Sequence, residues 1–154
     1  MMKISQTKDY ELVAKLNKHV HVLHADLYPQ YFMPYNYKAI KETFKNVFQI
    51  PKYTFLLLED NDEAVGYAWI EMRNYPENVF VKGYRSIYVH QISIAETKQN
   101  KGYGSRLMEK IYDIAKSKGI HLVELEYWYD NDAAKEFYEK HNFTNYREFV
   151  NKRL

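Results

Sequence analysis

Cysteine is missing from all 154 positions, which excludes disulfides, thiolate metal ligands and a cysteine nucleophile. No run approaches the roughly 18 consecutive apolar residues of a membrane helix. The opening Met1-Met2-Lys3-Ile4-Ser5-Gln6-Thr7 lacks the apolar stretch of a secretory signal, so a cytoplasmic protein is the expectation. Charge of one sign is also scarce. The 22 basic and 20 acidic side chains leave a net charge of +2, too small to imply a nucleic-acid partner. The 5 glycines and 4 prolines form no linker, and neither an internal repeat nor a low-complexity segment divides the chain. Apolar residues (46%) and aromatic residues (17%) are plentiful, enough for one domain over 1–154 with a substantial core.

Periodicity predicts a mixed architecture. Met2 to Ser5 reads as a short strand. Thr7 or Asp9 can cap a helix carrying Leu12, Val13, Leu16 and Val20 on one face. An aromatic-rich loop from Tyr28 to Tyr35 leads to a second helix with Ile40, Phe44, Val47 and Phe48, which ends before Pro51. Tyr53–Glu59 and Ala64–Met72 read as a hairpin, and a long strand follows from about Phe80 to Ala95. After it come a helix from Gly102 to about Lys118 closed by Gly119, a strand from His121 to Tyr129, a helix from Asp132 to His141, and a last strand from Phe143 to Lys152. A strand–helix–strand crossover from Ile87 to Tyr129 implies one parallel pair in an otherwise antiparallel sheet, an α+β fold with helices on both faces.

The most informative segment is Ile87 to Ser105, a strand running into Gln99-x-x-Gly102-x-Gly104 and then directly into a helix. Such a loop offers unpaired backbone N–H groups and the positive end of a helix dipole, which suits a phosphate or pyrophosphate. Lys98, Lys101 and Arg106 surround it with positive charge. The pattern departs from the dinucleotide-binding fingerprint, which needs a third glycine where this chain has Leu107.

Together with Asn131-x-x-Ala134-x-x-Phe137-Tyr138 and Phe143 downstream, the loop resembles the GCN5-related N-acetyltransferases, the GNAT family. The resemblance spans about Tyr84 to Phe143. Asn142 stands where the family usually has glycine, and Glu96 where proline is frequent; asparagine is the next most tolerant type for a left-handed residue after a helix.

The resemblance implies a fold, a donor and a set of roles. The activity is transfer of an acetyl group from acetyl-CoA to a primary amine of a small molecule or peptide, by direct attack in a ternary complex, with no metal. The backbone of Gln99, Asn100, Lys101, Gly102, Tyr103, Gly104 and Ser105 is expected to hold the coenzyme pyrophosphate. The edge of Ile92, Ser93 and Ile94 is expected to pair with the pantetheine arm and to turn one N–H to the thioester oxygen. Asn131 is a further pantetheine contact, or a helix N-cap. Tyr138 is the expected general acid at the leaving sulfur. The family also admits a homodimer through C-terminal strands.

The base stays open between Glu71, His90 and Glu126, with bound water as a fourth choice; His90 is read as sharing strand parity with Ile92 and Ile94. By resemblance the acceptor is expected between about His19 and Tyr37, where Tyr28, Tyr31, Phe32, Tyr35 and Tyr37 occur with few acids besides Asp26, and at the hairpin turn near Asn74. Aromatic walls of this kind suit a protonated amine. Three alternatives compete. His19, His21 and His24 make a poor metal site, because only His21 and His24 share a helical face. RNA binding requires aromatics interleaved with basic runs, which are lacking. An acetyl-CoA-binding regulator without turnover would keep the loop and need no acid.

Overall fold

The computed structural model describes residues 1–154. Eleven elements follow in chain order: β1 (Met2–Gln6), α1 (Tyr10–Leu16), α2 (Lys18–Leu27), α3 (Tyr37–Val47), β2 (Tyr53–Asp60), β3 (Glu63–Tyr75), β4 (Tyr84–Ile94), a single 3₁₀ turn (Glu96–Lys98), α4 (Tyr103–Ser117), β5 (Val123–Leu125) and α5 (Asp132–Lys140). Local signals set many of these bounds. Asp9 caps α1 by accepting the Leu12 N–H at 3.0 Å, and Asn36 caps α3 by accepting that of Ala39 at 3.0 Å. Gly119 and Asn142, just past α4 and α5, take positive φ of 66° and 63°, the left-handed stop expected of them.

The five strands form one sheet in sequence order, antiparallel throughout except for the parallel β4–β5 pair. Each face has its own core. Leu56, Leu58, Val65, Ile70, Ile87 and Val89 pack with Leu107, Met108 and Ile111 of α4. On the opposite face Phe55 and Tyr67 pack with Val13 and Ala14 of α1 and with Phe44 and Phe48 around α3. Fully burying one such side chain contributes about 1.5–3 kcal/mol, so the two layers hold the sheet between them. The α+β class with helices on both faces is as expected. No helix is long and apolar enough to cross a membrane.

Four expectations need correction. The helix expected through Val20 is two helices meeting at Asn17, whose buried amide donates to Tyr67 Oη at 3.0 Å and Gln91 Oε1 at 3.3 Å. β4 starts at Tyr84 rather than Phe80, because Asn78 Oδ1 takes the N–H groups of Phe80 and Val81 into a turn. β5 has three residues in place of the nine from His121 to Tyr129. Phe143 to Lys152 is not a strand: Tyr146, Phe149 and Val150 are exposed, and the segment meets the β5 region through side chains, Tyr146 Oη on Glu124 Oε2 at 2.6 Å and Tyr127 Oη on Asn145 Oδ1 at 3.3 Å. Alternation of apolar residues says which face a strand would show, but a strand also needs a partner edge.

Candidate active site

The site begins with an extra residue in β4. Trp69 pairs with Gln91 and the next residue, Ile70, pairs with Val89, so His90 is a β-bulge. A bulge resets the alternation of backbone groups. Before it, the Ile87 N–H turns toward β5 and bonds Leu122 O at 3.0 Å; after it, the Ala95 N–H turns toward β3 and bonds Val65 O at 2.8 Å. In an antiparallel ladder the even residues Ile92 and Ile94 then direct their N–H groups away from β3. On that side β5 has ended, because it pairs only with Ile87, Tyr88 and Val89. The open strand edge expected at Ile92 to Ile94 is therefore present.

The edge leads into the glycine loop. The N–H groups of Asn100, Lys101, Gly102, Tyr103, Gly104 and Ser105 have no protein partner, since the first helical bond of α4 runs from Arg106 N to Gly102 O and no side chain caps the helix. Asn100 and Gly102 both take positive φ, 61° and 79°, which curls the chain around these amides. A Cβ on Gly102 would meet nothing within 4 Å, so the concave side is open. Lys101 is exposed and makes no ion pair, whereas Lys98 pairs with Glu63 at 3.1 Å and Arg106 with Glu109 at 3.5 Å.

Several side chains expected at this loop are engaged elsewhere. Tyr103 is buried and its hydroxyl donates to Asp60 Oδ2 at 2.7 Å. Ser105 Oγ lies 2.9 Å from His141 Nε2. Ser93 is 2% exposed and donates to Leu16 O at 2.9 Å, tying β4 to α1. Gln99 Nε2 donates to Ile94 O, bracing the end of the strand. Gly104 does not serve an open approach: a Cβ there would lie 2.9 Å from the Phe137 ring, so its smallness lets α5 pack on α4. What this segment offers a ligand is backbone.

The far wall of the cleft comes from the β5–α5 connection. Asn131 is buried and caps α5, accepting the Ala134 N–H at 3.1 Å, while its Nδ2 faces His24 Nε2 of α2 at 3.3 Å. Burial, and then the neighbouring His21, hold the His24 imidazole below its ordinary pKa. Beside it, Trp128 packs against Tyr28, Tyr31 and Phe32 at centroid distances of 4.6, 5.8 and 5.1 Å. Tyr138, on α5, stacks on Tyr127 at 5.8 Å and has no hydrogen-bond partner for its hydroxyl. Burial, with Tyr112 close by, raises its pKa and keeps the phenol protonated.

The face of the sheet that carries α1 and α3 also carries two of the candidate bases, Glu71 and His90. His90 and Gln91 both point to this face, as a bulge requires, so His90 lies opposite Ile92 and Ile94 rather than alongside them. His90 Nε2 is 2.7 Å from Glu71 Oε1, and Glu71 Oε2 accepts from Arg73 Nε at 3.0 Å with Lys52 Nζ at 3.7 Å. Burial works to raise the Glu71 pKa, but His90, Arg73 and Lys52 outweigh it and hold the carboxyl low. Tyr88 lies under the Arg73 guanidinium, 3.6 Å from ring to cation; burial, followed by the Glu126 carboxylate, pushes its pKa up to about 12. Tyr88, Gln91 and Trp128 have no part in the sequence expectation, and His24 enters it only as a weak metal-site candidate. The bulge that turns His90 and Gln91 to one face has no residue-type signal.

A surface depression of about 650 Å³ between Tyr75, Tyr84, Gly119 and Leu122 lies at the opposite end of β4 and is distinct from this cleft.

The sequence and the fold both match known proteins. The family model described as Acetyltransferase (GNAT) family matches residues 19–143. N-alpha-acetyltransferase 30 of Schizosaccharomyces pombe is 30% identical over 101 residues, 66% of this chain and 63% of that protein, so the match leaves more than a third of the relative uncovered. Among solved structures, a tetramutant of the BH1408 protein from Bacillus halodurans superposes with a TM-score of 0.91 at 22% identity, covering 100% of this chain and 99% of that one. A predicted acetyltransferase from Clostridium acetobutylicum, solved with acetyl-CoA, gives 0.71 at 19% identity over 99% and 96%. The fold is the one these solved structures share. The chain belongs to the GNAT acetyltransferase family.

Proposed function

We propose that the chain moves the acetyl group of acetyl-CoA to a primary amine of a peptide or small molecule, by direct attack while donor and acceptor are both bound. The observation that carries this reading is continuity: the free edge from Ile92 to Ile94 leads directly to six unpartnered amides from Asn100 to Ser105. An extended polar arm ending in a diphosphate matches that surface, the arm pairing as a strand and the diphosphate resting on the loop with Lys101 beside it. The donor supplies an activated acyl carbon and a sulfur leaving group.

The chain's own residues supply the rest. An N–H of the Ile92–Ile94 edge faces the carbonyl oxygen as it gains charge; loss of one such donor costs about a hundredfold to a thousandfold in rate. Tyr138 gives a proton to the departing sulfur, a role supported by its place on α5 beside Tyr127 and its unengaged hydroxyl. Asn131 retains one N–H and one lone pair for the pantetheine arm beyond its cap and its His24 contact. The aromatic wall of Tyr28, Tyr31, Phe32 and Trp128 borders the acceptor side. The N-alpha-acetyltransferase relative favours a peptide α-amine as acceptor.

The test is thermal unfolding with acetyl-CoA, followed by thiol release against peptides with free N-termini and small amines. Acetyl-CoA at 100 times its Kd should add about 2.7 kcal/mol to stability. Stabilisation with turnover of one amine class supports the reading; stabilisation with none supports the regulator; no stabilisation removes both.

A further inference from the structure

The base is the one part of this reaction that the proposed function leaves open, and the bulge in β4 bears on it. His90 is the bulged residue. Its ring lies flat on Trp69, 4.6 Å between centroids and 21° from parallel, with Tyr53 and Tyr88 edge-on at 5.4 and 4.9 Å. Three aromatic contacts fix the plane of the imidazole. Its Nε2 faces Glu71 Oε1 at 2.7 Å, and a carboxylate held ionised by Arg73 and Lys52 can only accept. The hydrogen of the neutral ring therefore sits on Nε2, and Nδ1 carries a bare lone pair with no protein partner. Two residues further on is Ile92, the start of the free strand edge, a separation of about 6–7 Å along a strand.

Resting on the acetyl-transfer reading, we propose that His90 is the general base of the reaction and that Glu71 is the positioning residue that fixes its tautomer. Nδ1 takes one proton from the acceptor ammonium, leaving a neutral amine and an imidazolium paired with Glu71. The nitrogen lone pair forms the N–C bond as the C–S bond breaks, Tyr138 protonates the departing sulfur and is restored through water by the second N–H proton, and His90 returns its proton to water. The sum is an ammonium and a thioester giving an amide, a thiol and one released proton. The titratable groups that face the ring are Glu71 and Arg73 from β3, Lys52 and Tyr53 at the start of β2, and Tyr88 from β4, with Glu126 behind Tyr88. Burial lowers the His90 pKa and Arg73 and Lys52 lower it further against the pull of Glu71, so the ring is neutral at pH 7 and free to accept. The same geometry gives Glu71 a task that its burial otherwise leaves unexplained.

The test uses the full chain, acetyl-CoA and the amine selected by the thiol-release panel. His90→Gln is expected to keep the acetyl-CoA stabilisation, to lose about 10²–10⁴-fold in kcat/KM, and to lose the acidic limb of the pH–rate profile. Glu71→Gln should move that limb to lower pH. Added imidazole should restore part of the rate of His90→Ala, which a packing role would not allow. On the unaltered protein, nitrogen-15 correlation spectra should show His90 neutral and protonated at Nε2 at pH 7, a readout that needs neither a variant nor turnover. A wild-type pH profile in His90→Gln, or a Nδ1–H tautomer in the spectra, overturns the assignment. Absence of acetyl-CoA stabilisation in the unaltered protein instead removes the acetyl-transfer reading itself.

Discussion

Tyr28 and Asp130 hold each other across 102 residues of chain: the Tyr28 hydroxyl donates to Asp130 Oδ2 at 2.7 Å and accepts the Asp130 N–H at 2.9 Å. The pair joins the end of α2 to the connection between β5 and α5, where Asn131 and His24 also meet. These two contacts close one side of the cleft that the short β5 leaves open. The aromatic wall is thereby built from segments far apart in sequence, and its position depends on this bridge.

Tyr28→Phe keeps the ring on Trp128 and removes only the bridge. The expected result in steady-state kinetics is a several-fold rise in acceptor KM with little change in the acetyl-CoA constant. A change confined to acetyl-CoA would show that this corner belongs to the donor half.

The two loop glycines should fail in different ways. Gly104→Ala places a methyl 2.9 Å from the Phe137 ring, an overpacking that typically costs about 1–3 kcal/mol. Gly102→Ala meets open space but forces an alanine to φ near 79°, a cost of roughly 1–2 kcal/mol. Urea titration gives both losses. Gly104→Ala should be relieved by Phe137→Leu, which removes the ring edge, and Gly102→Ala should not.

That difference also marks the limit of what was legible in the sequence. Gly102, the caps at Asp9 and Asn36 and the left-handed Asn142 act within their own few residues, so residue type announces them, whereas Gly104 acts through the Phe137 ring. The hairpin and the crossover follow from local periodicity for the same reason. The bulge at His90 carries no such mark, because an extra residue is a relation between two strands. It turned His90 to the face opposite the one read from parity and brought it to Glu71, 19 residues earlier. The tail from Phe143 to Lys152 erred in the opposite sense: its alternation was clear, but β5 spans only Val123 to Leu125. Ser105 and Tyr103 are expected at the ligand by loop position alone, and both side chains bond within the protein, to His141 and Asp60.

Stability should rise with pH between about 5 and 7. Burial depresses the pKa of His24, His90 and His141 below the ordinary 6.5, so in that window the unfolded chain binds protons that the folded chain refuses. This contribution is fully present above pH 6.5 and is lost as pH falls through each folded value. Glu71 adds a second step: its carboxyl is held below the ordinary 4.5, and its share is lost as pH falls below that value. Calorimetric Tm values should be level from pH 7 to 8 and decline below 6.5. A Tm that climbs on acidification from pH 7 to 5 would contradict the burial of these rings.

Lys101 is the loop cation left without a carboxylate partner, so charge reversal there should be felt by a diphosphate. Lys101→Glu is expected to weaken acetyl-CoA binding about tenfold or more at low salt, with the gap narrowing at 0.5 M salt as the charges are screened. The unfolding midpoint without ligand should stay where it is, since the side chain is exposed. Isothermal titration at two ionic strengths reads both effects, and equal loss at either salt would point to a structural cause.

Tyr138→Phe separates chemistry from packing more cleanly than any other substitution in the cleft. The ring is held by Tyr127, Phe137 and Phe143, all of which phenylalanine retains. The hydroxyl has no protein partner, so removing it leaves no donor or acceptor stranded and should not lower the unfolding midpoint. Acetyl-CoA should stabilise the variant as it does the parent. If the hydroxyl protonates the leaving sulfur, kcat falls about a hundredfold while both Michaelis constants hold. The loss should shrink when the thiol leaving group is made more acidic, because a better leaving group needs less help from an acid. Turnover equal to the parent's would transfer that proton to water and leave Tyr138 as a wall of the α4–α5 packing.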